Sequence, residues 1–67
     1  MWQATSRAYA RIAAHRGLRL ALALQAHHVD FARFKHNAAK ALAALAPEED
    51  MTNIDWVHLR DLLRRGE

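Results

Sequence analysis

The feature that most constrains this chain is a run of mostly apolar side chains whose spacing alternates between four and three residues. Its members are Leu20, Leu24, His27, Phe31, Phe34, Ala38, Ala41 and Leu45. Side chains with this spacing share one face of an α-helix, and the pattern is typical of a helix that packs along a seam against another helix. The spacing therefore predicts an all-α fold built around a long helix.

Composition extends this helix toward the N-terminus. Residues 3–46 are rich in alanine, leucine, arginine and lysine, and they contain one glycine and no proline. Because most of these residues are strong helix formers, we predict one continuous helix over 3–46. The alternative is a three-helix arrangement in which the segment breaks near Arg16 and Gly17, since a glycine inside a helix costs about 1 kcal/mol relative to alanine.

A turn and a second, shorter helix are predicted after Pro47. Proline disfavours helical geometry in the residue before it, so the first helix is expected to end close to Ala46 and to be followed by a turn over 47–52. Thr52 is a favourable N-cap, and Asp55 three residues later resembles the second member of a capping box.

The second helix is predicted over 53–65, with Gly66 as its stop. Its apolar face consists of Trp56, Leu59, Leu62 and Leu63, flanked by Ile54 and Val57. Together the two helices predict a helical hairpin that forms one domain over 1–67.

The two predicted helices differ greatly in length. At about 1.5 Å per residue the first spans about 65 Å and the second about 20 Å, so folding back covers only the stretch from about residue 33 to 46. An uncovered apolar stripe marks an interface, so we predict a homodimer of antiparallel long helices, with a tetramer through Leu18 and Leu22 as the larger alternative. The predicted interface residues are Trp2, Tyr9, Ile12, Leu20, Leu24, His27, Phe31 and Phe34.

Positive charge is concentrated in the first half of the chain. No acidic residue precedes Asp30, whereas this segment contains Arg7, Arg11, Arg16 and Arg19. A helix face with several arginines can follow a phosphate backbone, so a nucleic-acid-binding regulatory protein is the alternative function. Against it, aromatic residues are not interleaved with the bases, and the second helix opens with acidic residues that repel DNA.

Metal binding and catalysis find little support. His27 and Asp30, and likewise Asp55 and His58, are three residues apart and resemble the carboxylate and histidine pairs of di-metal helical bundles. The two pairs are expected to lie far apart within one hairpin, so we predict no metal site and no cofactor. There is no glycine-rich phosphate loop, and Ser6 has no identifiable base beside it, so we predict that the chain is not an enzyme.

These observations favour a small non-enzymatic protein-interaction module: an adaptor, regulator or inhibitor that acts as a homo-oligomer and also contacts another protein. No segment approaches the roughly 18 consecutive apolar residues of a membrane span, so we expect a cytoplasmic protein. Residues 1–25 also have the amphipathic, arginine-bearing character of a mitochondrial presequence, although Thr5 and Ser6 are their only hydroxyl residues.

Overall fold

A computed structural model describes residues 4–66 of the chain; Trp2 lies outside this range. Within it the backbone forms α-helices joined by short segments, and no strand occurs among these residues, so the all-α prediction is confirmed for the described range. The elements are α1 (Ala4–Ala13), α2 (Arg16–His28), α3 (Phe31–Leu45), a 3-10 turn (Met51–Asn53) and α4 (Trp56–Arg65).

The single helix predicted over 3–46 is wrong, because the segment is interrupted twice. At the second interruption Val29 and Asp30 are both extended, with ψ angles of 162° and 165°. The Asp30 carboxylate accepts the backbone N–H of Arg33 at 2.7 Å. Aspartate is among the residues most favoured at a helix N-cap, because its side chain satisfies an N–H that has no partner within the helix. Asp30 therefore begins a new helix.

The first interruption lies at Ala14 and His15, just before the glycine that the sequence singled out. His15 is extended, with φ −113° and ψ 95°, and its side chain makes no capping hydrogen bond. Gly17 belongs to the first turn of α2, and a Cβ added there would meet nothing within 4 Å. The three-helix alternative, with its break near Arg16 and Gly17, is therefore closer to the structure, but it lacks the second break between α2 and α3. Open space around Gly17 means that no close contact requires a glycine there.

One core gathers side chains from all four helices. Its largest fully buried members are Phe34, Ile12, Leu22, Leu42, Leu59 and Leu63. The radius of gyration of the Cα atoms is 10.6 Å, close to the roughly 11 Å of a compact domain of this length. The chain therefore buries its own core, and the argument that a 65 Å helix needs a second copy to cover it is wrong.

The end of α3 lies where the sequence predicts it. Helix α3 ends at Leu45, and Ala46 is its C-cap. In the segment that follows, the Asp50 carboxylate accepts the Thr52 backbone N–H at 3.0 Å and the Thr52 hydroxyl at 2.6 Å. These hydrogen bonds favour the charged form and lower the pKa of Asp50 below its usual value.

Helix α4 begins later than predicted and ends as predicted. Its N-cap is Asp55, whose carboxylate accepts the His58 backbone N–H at 3.0 Å, so Thr52 does not cap it and the predicted start at residue 53 is wrong. Gly66 closes the helix in the left-handed conformation, with φ 72°. The Thr5 hydroxyl, on α1, accepts the backbone N–H of Asp55 at 3.0 Å and so ties the start of α1 to the start of α4.

Candidate protein-docking surface

Helix α2 carries leucines on two opposite faces. Leu22 and Ala26 are buried in the core, whereas Leu20 and Leu24 are 48% and 61% exposed. Residues four apart are neighbours on a helix surface, so the two exposed leucines form one apolar ridge. Among the large hydrophobic residues in the described range, the other exposed one is Val57 on α4.

The leucine ridge continues in both directions along α2. Gly17 precedes Leu20 by three residues and His27 follows Leu24 by three, and both are exposed. We call the face formed by Gly17, Leu20, Leu24 and His27 the α2 seam. The α2 seam keeps the alternating spacing of three and four residues that the sequence shows, and its members are exposed to solvent. The α3 part of the same run, by contrast, includes core residues such as Phe34.

The structure separates the residues predicted to form an interface. Ile12 and Phe34 are fully buried in the core, so in this fold they have no surface with which to contact a partner. Tyr9 and Phe31 are partly buried and pack against that core. Trp2 lies outside the described residues. Only Leu20, Leu24 and His27 are exposed together on one helix.

The two partly buried aromatic residues are engaged or enclosed within the chain. The Arg60 guanidinium lies over the Phe31 ring, 5.1 Å from its centroid, and so links α4 to α3 by a cation–π contact. The Tyr9 hydroxyl is buried and has no hydrogen-bond partner among the described residues. Neither ring offers a partner an open face comparable to the α2 seam.

The four arginines predicted to contact nucleic acid do not form one free surface. On α1, Arg7 pairs with Glu49 at 3.3 Å and Arg11 pairs with Glu48 at 2.5 Å. The side chain of Glu49 is only 3% exposed, so the first pair is partly shielded from solvent. The other two arginines, Arg16 and Arg19, lie on α2 beyond the break in the chain. The predicted basic face is thus divided, and its α1 half is partly neutralised.

The two aspartates considered for metal binding are helix caps. The pairing of His27 with Asp30 assumed one helix, but α2 ends at His28 and Asp30 caps α3. The carboxylate of Asp55 likewise caps α4 by accepting the backbone N–H of His58. In the described range, residues 4–66, no group of three or more histidine or acidic side chains is arranged to hold a metal ion.

The break between α1 and α2 creates two shallow grooves that a continuous helix would not form. One, of about 510 Å³, is lined by Arg7, Ala10, Arg11, Ala14, His15 and Leu45. The other, of about 300 Å³, is lined by His15, Leu18, Ala41, Ala44 and Leu45. No local sequence signal marks these grooves, because the break at His15 has no capping side chain.

No helix in the described part of the chain has both the length and the apolar character that crossing a membrane requires. No protein-family model, curated protein or solved structure matches the chain at a significant level.

Proposed function

We propose that this protein is a small non-enzymatic interaction module that binds a helix of a partner protein through the α2 seam. The observation that carries the proposal is the pair Leu20 and Leu24, adjacent on one helix face and 48% and 61% exposed. Fully burying a leucine contributes about 1.5–3 kcal/mol, so covering two half-exposed leucines contributes roughly half of that for each. Apolar positions that alternate by three and four are the pattern that one helix presents to another.

A partner protein is favoured over a second copy of this chain. The homodimer was predicted because a long helix would otherwise remain uncovered, and that reason is lost once the chain covers its own core. Two leucines and a glycine also supply only a small part of the roughly 800 Å² that each subunit of a stable dimer buries, so the seam suits a small, transient contact with a partner helix. Self-association through the seam is thus an outcome that the experiment below must distinguish.

Nucleic-acid binding through Arg7, Arg11, Arg16 and Arg19 is less favoured than protein binding. Two of these arginines are paired with glutamates of the loop that follows α3. A phosphate backbone also offers nothing apolar to cover Leu20 and Leu24. An adaptor, regulator or inhibitor, by contrast, needs only a rigid surface of this kind.

The proposal can be tested by nuclear magnetic resonance with the intact chain. The probe is a synthetic amphipathic peptide with a leucine seam and uncharged glutamine flanks. We expect amide shifts confined to the outer face of α2, around Gly17, Leu20 and Leu24. The double variant L20A/L24A should bind the peptide at least about tenfold more weakly, a loss of about 1.4 kcal/mol.

Val57→Ala is the matched control, because it truncates a residue that is 57% exposed on a different helix. Circular dichroism should show that all variants remain folded. No shifts at millimolar peptide, or an equal loss of binding in Val57→Ala, would overturn the proposal. Sedimentation that shows a dimer of the unliganded chain, converted to a monomer by L20A/L24A, would make a second copy the occupant of the seam.

A further inference from the structure

Among residues 4–66, the ion pairs lie outside helices α2 and α3. In the described range, the pairs between arginine and acidic side chains are Arg7 with Glu49, Arg11 with Glu48, and Arg65 with Asp61. These pairs join α1 to the loop after α3 or lie within α4. Helices α2 and α3 contain no acidic residue at all. The acidic side chains that could neutralise them internally lie elsewhere in the fold.

Helices α2 and α3 nevertheless carry several cations. They are Arg16, Arg19, Arg33, Lys35 and Lys40. None of the five forms an ion pair within residues 4–66, and all but the half-buried Arg19 are exposed. The acidic residue between the two helices, Asp30, directs its carboxylate to the backbone N–H of Arg33 as a cap. The central helices therefore present a largely uncompensated positive surface.

The cations of α3 lie beside the helix that carries the seam. The Asn37 side chain donates a hydrogen bond of 2.6 Å to the Gln25 side chain, which joins the middle of α3 to the later half of α2. Near its start, α2 contributes Leu18 to a groove that it shares with Ala41 and Ala44 of α3. The two helices thus run side by side in opposite directions.

On α3 itself, two of the cations share one exposed face. Arg33 and Lys40 are seven residues apart, which is close to two full helical turns, and both are exposed. A helix that lies on Leu20 and Leu24 would therefore have cations of α3 along one side and Arg16 at one end of the seam.

We propose that the occupant of the α2 seam is an acidic amphipathic helix, with an apolar stripe bordered by aspartate or glutamate. The inference rests on the proposed function and adds the charge of the partner. Complementary charges around an apolar contact speed association and exclude partners of the wrong charge. A nucleic acid would also meet these cations, but phenylalanine, tyrosine and tryptophan in the described range are buried or half-buried and offer no exposed stacking face.

The test compares two synthetic helical peptides that share one leucine seam and differ only in their flanks, glutamate in one and lysine in the other. Binding to the intact chain is followed by fluorescence anisotropy at low and high salt. We expect the glutamate-flanked peptide to bind at least about tenfold more tightly at low salt. This preference should shrink at about 1 M salt, because screening shortens the range of the charge interactions to about 3 Å.

Charge variants locate the effect. R33Q/K40Q should weaken binding of the glutamate-flanked peptide several-fold and leave the glutamine-flanked peptide unaffected. Arg64→Gln is the control, because Arg64 is an exposed arginine on α4 that forms no ion pair in the described range. It should leave both affinities within about twofold. An equal loss in Arg64→Gln would overturn the assignment to α3.

The remaining outcomes separate the two proposals. If the glutamate-flanked and lysine-flanked peptides bind equally well, or the lysine-flanked peptide binds better, the acidic partner is excluded and the docking function survives. If none of the three peptides binds, both proposals fail. If salt-sensitive binding to duplex DNA is found and L20A/L24A leaves it unchanged, the basic surface serves a phosphate backbone and the acidic helix is overturned.

Discussion

The two junctions that divide the N-terminal two thirds of the chain are built differently. Between α2 and α3, the Asp30 carboxylate accepts the Arg33 backbone N–H and so starts the new helix by a local hydrogen bond. Between α1 and α2, His15 occupies the corresponding position without any side-chain cap. One junction is thus supported by a neighbouring residue, whereas the other has no such support.

What holds the uncapped junction is burial on either side of it. Ile12 ends the buried stripe of α1, and Leu22 begins that of α2; they are 0% and 2% exposed. A straight helix would carry one of these side chains away from the other, along its axis, by about 15 Å. The break brings both into one core, and this gain compensates for the hydrogen bonds that the helix loses there. The comparison shows that a helix can end through distant packing as well as through local chemistry.

The largest expected effect comes from removing a side chain beside the uncapped junction. Ile12→Ala should lower the free energy of unfolding by about 2–5 kcal/mol, because it leaves a cavity in the core. A domain of 67 residues has only roughly 3–10 kcal/mol in total, so this loss removes a large part of its stability. Urea denaturation followed by circular dichroism measures the loss.

The conservative variant Ile12→Val keeps this prediction measurable. It should cost about 0.5–1.5 kcal/mol and remain folded. Leu24→Ala is the control on the exposed side of α2 and should change stability by less than about 0.5 kcal/mol. An Ile12→Ala variant as stable as Leu24→Ala would show that packing does not hold the α1–α2 junction.

The next largest effect should distinguish the two junctions directly. Asp30→Ala removes the cap of α3 and should cost about 1 kcal/mol, whereas Asp30→Asn should retain most of the stability, because asparagine is an equally good N-cap. His15→Ala, at the uncapped junction, should cost almost nothing. The same urea measurement applies, and equal costs for Asp30→Ala and His15→Ala would contradict the distinction.

The sequence predicts the parts of the fold that depend on local chemistry better than those that depend on distant packing. Features set by neighbouring residues were predicted, such as the end of α3 before Pro47 and the stop of α4 at Gly66. The cap at Asp30 was equally local and could have been found, since it is a strong N-cap residue directly before the apolar run of α3. The cap at Asp30 was missed because the alternating spacing of the apolar run continues unbroken from His27 to Phe31.

The break at His15 could not be predicted in the same way, because no side chain at that position caps the helix that follows. It depends on which side chains of α1 and α2 share a core with α4. For the candidate docking surface, the sequence predicted Leu20, Leu24, His27 and Ile12 alike as interface residues, whereas the fold exposes the first three and buries Ile12. Burial of one apolar face and exposure of another depend on the path of the whole chain, and the spacing alone does not distinguish them.

The two glycines offer a smaller test of whether glycine has any part in the junctions. Gly17 lies in helical conformation with open space around it, so Gly17→Ala should raise stability by about 0.5–1 kcal/mol. Gly66 has φ 72°, which alanine adopts only at a cost, so Gly66→Ala should lower stability by about 1 kcal/mol. A destabilising Gly17→Ala would mean that flexibility at residue 17 supports the α1–α2 junction after all.

The smallest expected effect concerns Asp50, which caps the 3-10 turn as Asp30 caps α3. The Thr52 hydroxyl and backbone N–H hold the pKa of Asp50 below its usual value of 3.8. A lowered pKa in the folded state means that these hydrogen bonds contribute stability above about pH 4 and that the contribution is lost as the pH falls through the folded-state pKa. Titration of the Asp50 carboxyl carbon by nuclear magnetic resonance measures the shift directly. Thr52→Val removes the hydroxyl, the larger cause, and keeps the backbone N–H, so the pKa should move only part of the way back. A full return of the pKa to 3.8 would show that the backbone hydrogen bond contributes nothing to the shift. Asp50 would then not support the 3-10 turn in the way that Asp30 supports the start of α3.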